Sequence, residues 1–256
     1  MDGRKTTLCY LEEDGRCLVL HRTKKADDAN GGKWIGVGGK FEPGETADRC
    51  ALREVREETG LTMTDHRLRG IVIFVSDVWG VEYMYLYTAT KWTGELADCD
   101  EGELVWLEKG ELLKKNLWEG DRLFLKALET REAFFIMKLR YEGERLVESV
   151  DSEGLSAFRL SVYRALLDIP RGTTVSYGEL ARRVGSKSPR AVGQALRRNP
   201  FAPEVPCHRV VAADGSLGGY RGSRAADALA LKRALLRAER GPGGMTDGKC
   251  GIIASR

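Results

Sequence analysis

The sequence predicts an α/β fold in two parts: an α/β domain over residues 1–150 and a mainly helical domain over residues 151–240. Three observations predict it. Strand-like and helix-like patterns alternate through the first part, and from Ser156 the apolar spacing becomes helical. The charge also changes sign: residues 151–256 hold 18 Lys and Arg against 9 Asp and Glu, a net of +9, which leaves −6 for residues 1–150. Such asymmetry points to a polyanion, nucleic acid in particular, as partner of the second part, although an arginine-rich solvated surface would look the same.

In the first part, TTLCYLEEDGRCLVLHR reads as a hairpin around Asp14-Gly15. Residues 45–59 read as a helix ended by Gly60. GIVIFV at 70–75 and VEYMYLYTAT at 81–90 read as strands, GELLKK and EGDRLFLKALE as helical, and FFIMKLRYEGERLVES as a closing hairpin. The polar stretch VESVDSEGLS, 147–156, marks the domain boundary. In the second part, SAFRLSVYRALLDI is an amphipathic helix. SYGE at 176–179 matches a capping box opening a helix through Val184. Ser188-Pro189 then supplies a cap and a first-turn proline for RAVGQALRRN. Two short helices across the turn VGSKS outline a helix-turn-helix. The glycine-rich residues 241–256 read as a flexible tail.

With 42% hydrophobic and 31% charged residues, the chain has the composition of a globular protein rather than a disordered one. Its apolar runs are too short to span a bilayer and the N-terminus has no signal-peptide pattern, so no membrane partner and a cytoplasmic location are expected. Six scattered cysteines without a CxxC pair argue against a disulfide framework and a zinc knuckle.

The first chemical signal is a helix of carboxylates. Glu54, Glu57 and Glu58, at i, i+3 and i+4, share one face, opposite the apolar stripe Ala47, Ala51 and Val55. Clustered carboxylates repel one another unless a cation joins them, and hard oxygens suit Mg2+ or Mn2+ beside a phosphate. Gly38, Gly39 and Gly44 in the preceding loop permit close approach of backbone to phosphate. The array Gly39, Glu45, Arg53, Glu54, Val55, Glu57, Glu58, Gly60 and Leu61 is the Nudix box.

Over about residues 1–150 the chain thus resembles the Nudix hydrolases, most nearly the MutT-like branch that clears oxidised purine nucleotides, through WIGVGGKFEPGE and NLWEGD. The resemblance implies an α/β/α sandwich with a mixed sheet. It also implies cleavage of nucleoside triphosphates such as 8-oxo-dGTP by water and Mg2+. Glu54, Glu57, Glu58 and Glu101 would hold metal, with Glu57 or Glu58 helping to activate water. Glu45 would pair with Arg53 to brace the loop, and Gly39, Lys40, Trp118 and Asp121 would bind substrate. Where relatives selective for 8-oxoguanine carry an asparagine and a first aspartate, this chain has Ile35 and Gly120, which leaves a general nucleotide pyrophosphatase or an ADP-ribose-like substrate open.

The second signal is EVPCHRVVAADGSLGGY at 204–220. The only other histidines, His21 and His66, lie in the first part, which leaves Cys207 as nucleophile or as a buried thiol. Adjacent residues of an extended strand face opposite ways, so His208 alone does not make a dyad with it. The neighbours Arg190-Ala-Val-Gly, Asn199-Pro, Pro206-Cys-His-Arg-Val-Val and Gly218-Gly-Tyr-Arg-Gly resemble, in this order, the C-terminal domain of O6-alkylguanine-DNA alkyltransferases. The resemblance covers about residues 155–240, with a Nudix domain where the usual N-terminal domain stands.

It implies that Cys207 accepts the alkyl group from O6-alkylguanine in double-stranded DNA, once per molecule and without a cofactor. His208 and Glu239 would promote the thiolate, and Tyr177 would rotate the nucleotide. Arg190 would fill the gap in the duplex, Asn199 would brace the cysteine loop, and Arg197 would meet phosphate. Two departures are a segment from Tyr220 to Lys232 about five residues longer than in common relatives, and Arg221 and Ser223 in the lid. A module that only binds lesions is the competing reading, and it is one that lacks the reactive cysteine.

Overall fold

The computed structural model describes residues 3–24 and 30–240, so the predicted tail lies outside the described residues. The chain divides into two compact units, Gly3–Asp151 and the residues from Ser152 onward.

The first unit runs β1 (Arg4–Glu13), β2 (Arg16–His21), β3 (Trp34–Ile35), α1 (Ala47–Thr59), β4 (Thr62–Ser76), β5 (Gly80–Thr93), β6 (Glu103–Glu108), α2 (Lys109–Leu112), α3 (Glu119–Thr130), β7 (Phe135–Glu142) and β8 (Arg145–Asp151). Its sheet has the order β3-β2-β1-β5-β4-β7-β8, with β6 pairing β2. The sheet is mixed: β1 with β5 and β4 with β7 are parallel, the other pairs antiparallel. Asp14 and Gly15 join β1 to β2 at φ 49° and 80°, the left-handed pair whose twist matches that of the strands.

Alternation along β1 sends neighbouring side chains to opposite faces. Thr7 Oγ1 lies 3.3 Å from Cys50 Sγ of α1, whereas Leu8 and Tyr10 belong to the core that contains Phe124, Ala127 and Leu128 of α3. Helices therefore cover both faces, as a sandwich requires. β4 extends well before the apolar run at 70–75, because its polar half Thr62–Arg69 pairs with β5 across two bulged regions.

The second unit runs α4 (Ala157–Leu167), β9 (Val175–Ser176), α5 (Tyr177–Arg183), α6 (Pro189–Arg197), β10 (Val210–Val211) and α7 (Ala226–Arg240). Ser176 and Ser188 cap α5 and α6 by accepting the N–H of Glu179 and Ala191 at 3.1 and 3.2 Å. The expected capping box closes from one side: the Glu179 carboxylate turns to Arg182 and Arg183 instead of back to the cap. Val192, Ala195 and Leu196 bury one face of α6, and Tyr163 of α4 donates to the Ala195 carbonyl at 2.9 Å, which fixes the end of that helix. Among the described residues no helix is long and apolar enough to cross a membrane.

Candidate active sites

The first site is a cleft of about 590 Å³ in the sheet unit. Its floor is made by α1 and the glycine loop before it. Thr46 caps α1 and Gly60, at φ 76°, ends it. The loop is pinned to β1 by Thr7 N–H to the Gly39 carbonyl (2.8 Å) and by the reciprocal bonds of Cys9 and Val37. Gly39 lies so close to Glu54 that a β-carbon there would come 2.5 Å from the carboxylate. Gly38 donates its N–H to Glu58 Oε2 at 3.1 Å.

Arg53 organises the acidic loop. It holds Glu45 through Nε (3.0 Å) and Nη2 (2.9 Å), and also donates to the Lys40 carbonyl (3.0 Å), Glu54 (2.8 Å) and Glu57 (3.1 Å). The guanidinium brings Glu45 down to about 2. Glu58 moves the opposite way, up to about 8, because burial disfavours its charge and Glu101 and Glu54 add repulsion. Burial also raises Glu54, with Glu57 and Glu101 contributing. Glu101 is paired with Arg22.

Glu54, Glu58 and Glu101 line the cleft together, with Gly39 and Lys40 at the same mouth. Glu57 does not join them: its side chain is 60% exposed and is turned to Arg53. Among the described residues no three ligands stand already assembled around a metal position. The donors nevertheless fit a divalent cation, since three oxygen-bearing groups that repel one another in a polar cleft gain most from a hard positive ion.

At the other end of the cleft, Trp118 Nε1 donates to Asn30 Oδ1 at 2.9 Å, and Lys33 Nζ lies 4.6 Å from the ring centre. Asp121 is buried and pushed up to about 7 by that burial, against the opposing N–H of Trp118. Ile35 also lines the cleft. Packing explains Gly120: its N–H donates to Tyr141 Oη at 2.8 Å, and a β-carbon would meet that oxygen at 2.5 Å and Leu139 at 2.6 Å. Sequence reading missed Arg22 and Trp79, which line this cleft from the end of β2 and the turn before β5. Neither lies in a motif.

The second site lies in the helical unit around Cys207. The strand expected there is a 3-10 turn, Cys207–Arg209, which leads into β10. Asn199 shapes the approach by donating Nδ2 to the Val205 carbonyl (2.8 Å) and accepting the Phe201 N–H (3.0 Å). Cys207 is only 4% exposed, and burial raises its thiol pKa against the helping influence of Asn199 and Lys232.

His208 Nε2 lies 2.8 Å from Glu239 Oε1, a contact joined by Arg209, whose Nη2 donates to the same oxygen at 2.8 Å. Burial works against a charged Glu239, but the bonds from His208 and Arg209 outweigh it and hold the carboxyl far below its usual range. With Nε2 facing a carboxylate, the neutral ring carries its proton there and leaves Nδ1 as acceptor. Nδ1 is buried and has no partner among the described residues.

Tyr177 opens α5 with its ring beside Gly218 and Gly193, where a β-carbon on Gly218 would come within 3.4 Å. Arg190 and Arg197 are both exposed on α6, one at each end. Arg197 also lies against the lid, since a β-carbon on Gly222 would meet its Cγ at 2.7 Å. Sequence reading missed Lys232, fully buried on α7. Its Nζ donates to the carbonyls of Val210, Leu217 and Gly219 at 2.6, 2.6 and 3.1 Å, which fixes the loop between cysteine and lid. A lysine in the helical stripe Leu229, Lys232, Leu236 was the available signal.

Residues 2–128 match the family model described as the NUDIX domain, and residues 157–241 match that of the 6-O-methylguanine DNA methyltransferase, DNA binding domain. The methylated-DNA–protein-cysteine methyltransferase of Methanosarcina acetivorans is 42% identical over 122 residues, covering 47% of this chain and 72% of that protein. The chain belongs to the methylated-DNA–protein-cysteine methyltransferase family, fused to a Nudix domain. The methyltransferase half is also similar to the DNA base-flipping protein of Thermus thermophilus, 47% identical over 116 residues, 44% of this chain and 73% of that protein. Among solved structures, the MutT protein of Bacillus halodurans matches with a TM-score of 0.52 at 25% identity, covering 58% of this chain and 97% of that one.

Proposed function

We propose that the chain acts against damaged guanine twice, hydrolysing modified nucleoside triphosphates in its Nudix cleft and removing alkyl groups from O6 of guanine in DNA at Cys207. The observation that carries the second activity is the buried chain Arg209–Glu239–His208 beside Cys207, with the free nitrogen of His208 left to accept a proton. Glu239, itself held by Arg209, orients the ring. His208 then takes the thiol proton, directly or through water, which the raised thiol requires. The sulfur forms a bond to the alkyl carbon as the carbon–O6 bond breaks. The bonding pair returns to guanine, which regains one proton overall, and Cys207 ends as a thioether that cannot react again.

The target base must leave the helix to meet a sulfur this deeply buried. Tyr177 stands beside Gly218 at the start of α5, and Arg190 and Arg197 offer charge on α6 to the duplex. The Thermus relative's name favours one competing reading, a half that flips bases without accepting the alkyl group. Mass spectrometry of Cys207 after mixing with an O6-methylguanine duplex decides between them: a gain of one methylene supports transfer, and an unchanged cysteine removes it.

In the Nudix cleft, Glu54, Glu58 and Glu101 would hold a divalent cation, Mg2+ or Mn2+. Such an ion, when bound, screens the charge that develops on phosphate oxygens. Arg53 keeps the acidic loop in place, Lys40 and the glycine loop line the cleft where phosphates would lie, and Glu58, raised by burial and by Glu101, would serve as the base. Glu57 stands on the solvent side, turned to Arg53. Comparison of kcat/KM for 8-oxo-dGTP, O6-methyl-dGTP and dGTP tests the substrate. Preference for a modified guanine supports the proposal, and equal rates would make this half a general nucleotide pyrophosphatase.

A further inference from the structure

One large aromatic side chain of the Nudix unit stays about half exposed. Trp79 sits at the turn between β4 and β5 and is 47% exposed, although an indole is among the side chains that gain most from burial. Its backbone is fixed: Ser76 Oγ accepts the N–H of Val78 and Trp79 at 3.1 and 3.2 Å. Gly80, at φ 77°, then turns the chain into β5. The indole lines the nucleotide cleft and meets Trp118 with ring centres 5.7 Å apart and planes at 71°. Trp118 is itself held by Asn30, by Lys33 and by Tyr141, whose ring stands edge-on at 6.1 Å. Two held indoles at a steep angle form an aromatic corner in the same cleft that Glu54, Glu58 and Glu101 line.

We infer that Trp79 is a specificity-determining residue that completes, with Trp118, a corner for the bicyclic base of a purine nucleotide. The inference rests on the nucleotide-hydrolase reading of this cleft. A base stacked on one indole presents its edge to the other, and a bicyclic ring reaches both walls better than a single ring. Asp121, three residues along from Trp118, lines the cleft as well. Its burial places it near about 7, where the carboxyl both donates and accepts, which suits a purine edge bearing both kinds of group.

The test uses the full chain as wild type, W79A and W79F. Calorimetric titrations with dGMP and dCMP measure binding, and turnover of dGTP gives kcat and KM. W79A is expected to weaken dGMP about 10-fold and raise KM for dGTP to match, with kcat held within about twofold, and to weaken dCMP less. W79F should recover most of the loss. Thermal unfolding of the Nudix half at the wild-type temperature in both variants establishes that this half is intact. Equal dGMP affinity in wild type and W79A would overturn the role of Trp79, and equal losses for dGMP and dCMP would overturn the purine preference. Tryptophan-dependent dGMP binding without any nucleotide turnover would sink the hydrolase reading and keep the corner. No binding of either nucleotide by the wild type would overturn both.

Discussion

The two halves handle buried carboxylates in opposite ways. In the Nudix cleft, burial and the nearby charge of Glu101 raise the affinity of Glu54 and Glu58 for protons, and Glu58 reaches about 8. In the methyltransferase half, Glu239 is equally enclosed but is held ionised by His208 and Arg209. The first leaves Glu54 and Glu58 raised although Arg53 and Arg22 pair with Glu54 and Glu101, and in the proposed reading a cation completes it. The second is neutralised by bonds within the chain. The difference follows the chemistry: phosphate hydrolysis needs charge brought in with the substrate, whereas a single thiol needs only its proton removed.

The strongest way to break this comparison is to disable each half separately. Cys207→Ser should abolish alkyl transfer and leave nucleotide hydrolysis intact. A chelator of divalent cations should abolish hydrolysis and leave alkyl transfer intact. Both activities are measured on one preparation, by label transfer from an alkylated duplex and by pyrophosphate release. Loss of alkyl transfer in the chelator, or hydrolysis that persists there, would contradict the division between cation-dependent and self-contained sites.

Next in size is Glu239→Gln. It leaves Arg209, 11% exposed, without its anionic partner, and removing one member of a buried pair costs about 3 kcal/mol. The sign of the pH dependence follows from the lowered carboxyl. Glu239 in the folded protein titrates below its ordinary value of 4.5, so its stabilisation is present above pH 4.5 and is lost as pH falls below that value. The wild type should therefore lose stability on acidification through this window, and the Gln variant should lose less. Denaturant unfolding of the methyltransferase half, followed at several pH values, measures it. Parallel curves for the two proteins would mean that Glu239 carries no linked charge. The variant should also transfer alkyl groups more slowly and recover with rising pH, as the thiol ionises unaided.

Much of this organisation was legible in the sequence, for reasons that differ by residue. Asp14-Gly15, Ser188-Pro189 and Gly60 announce local backbone geometry, which local residues determine. Glu54 and Glu58, and Cys207 with His208, sit in dense motifs. What escaped depends on contacts between distant segments. Trp79 is conspicuous only once β4 and β5 bring their turn to Trp118. Lys232 reads as a polar residue in an apolar stripe until α7 sets it beneath three carbonyls. Glu57 shares a helical face with Glu54 and Glu58, yet the curvature of that face leaves it 60% exposed beside Arg53. Spacing assigns a face, and packing decides how far into the cleft each member of it reaches.

Gly120 gives the smallest effect and the finest test of that last point. From sequence it reads as a lost base-recognition residue, but the structure gives it a packing reason, because a β-carbon would press on Tyr141 Oη at 2.5 Å and Leu139 at 2.6 Å. Gly120→Ala should destabilise the Nudix half by about 1–3 kcal/mol through overpacking, measured by thermal unfolding of that half. Adding Tyr141→Phe removes the nearer of the two colliding atoms, along with the hydrogen bond that the Gly120 N–H makes to it. The double variant should therefore recover part of the loss, and its deviation from additivity reports the contact directly. If Gly120→Ala is neutral, the loop before α3 yields at little cost and the glycine reflects substrate choice alone. If the double variant recovers, a position that reads as a missing recognition group is instead the place where α3 closes onto β7.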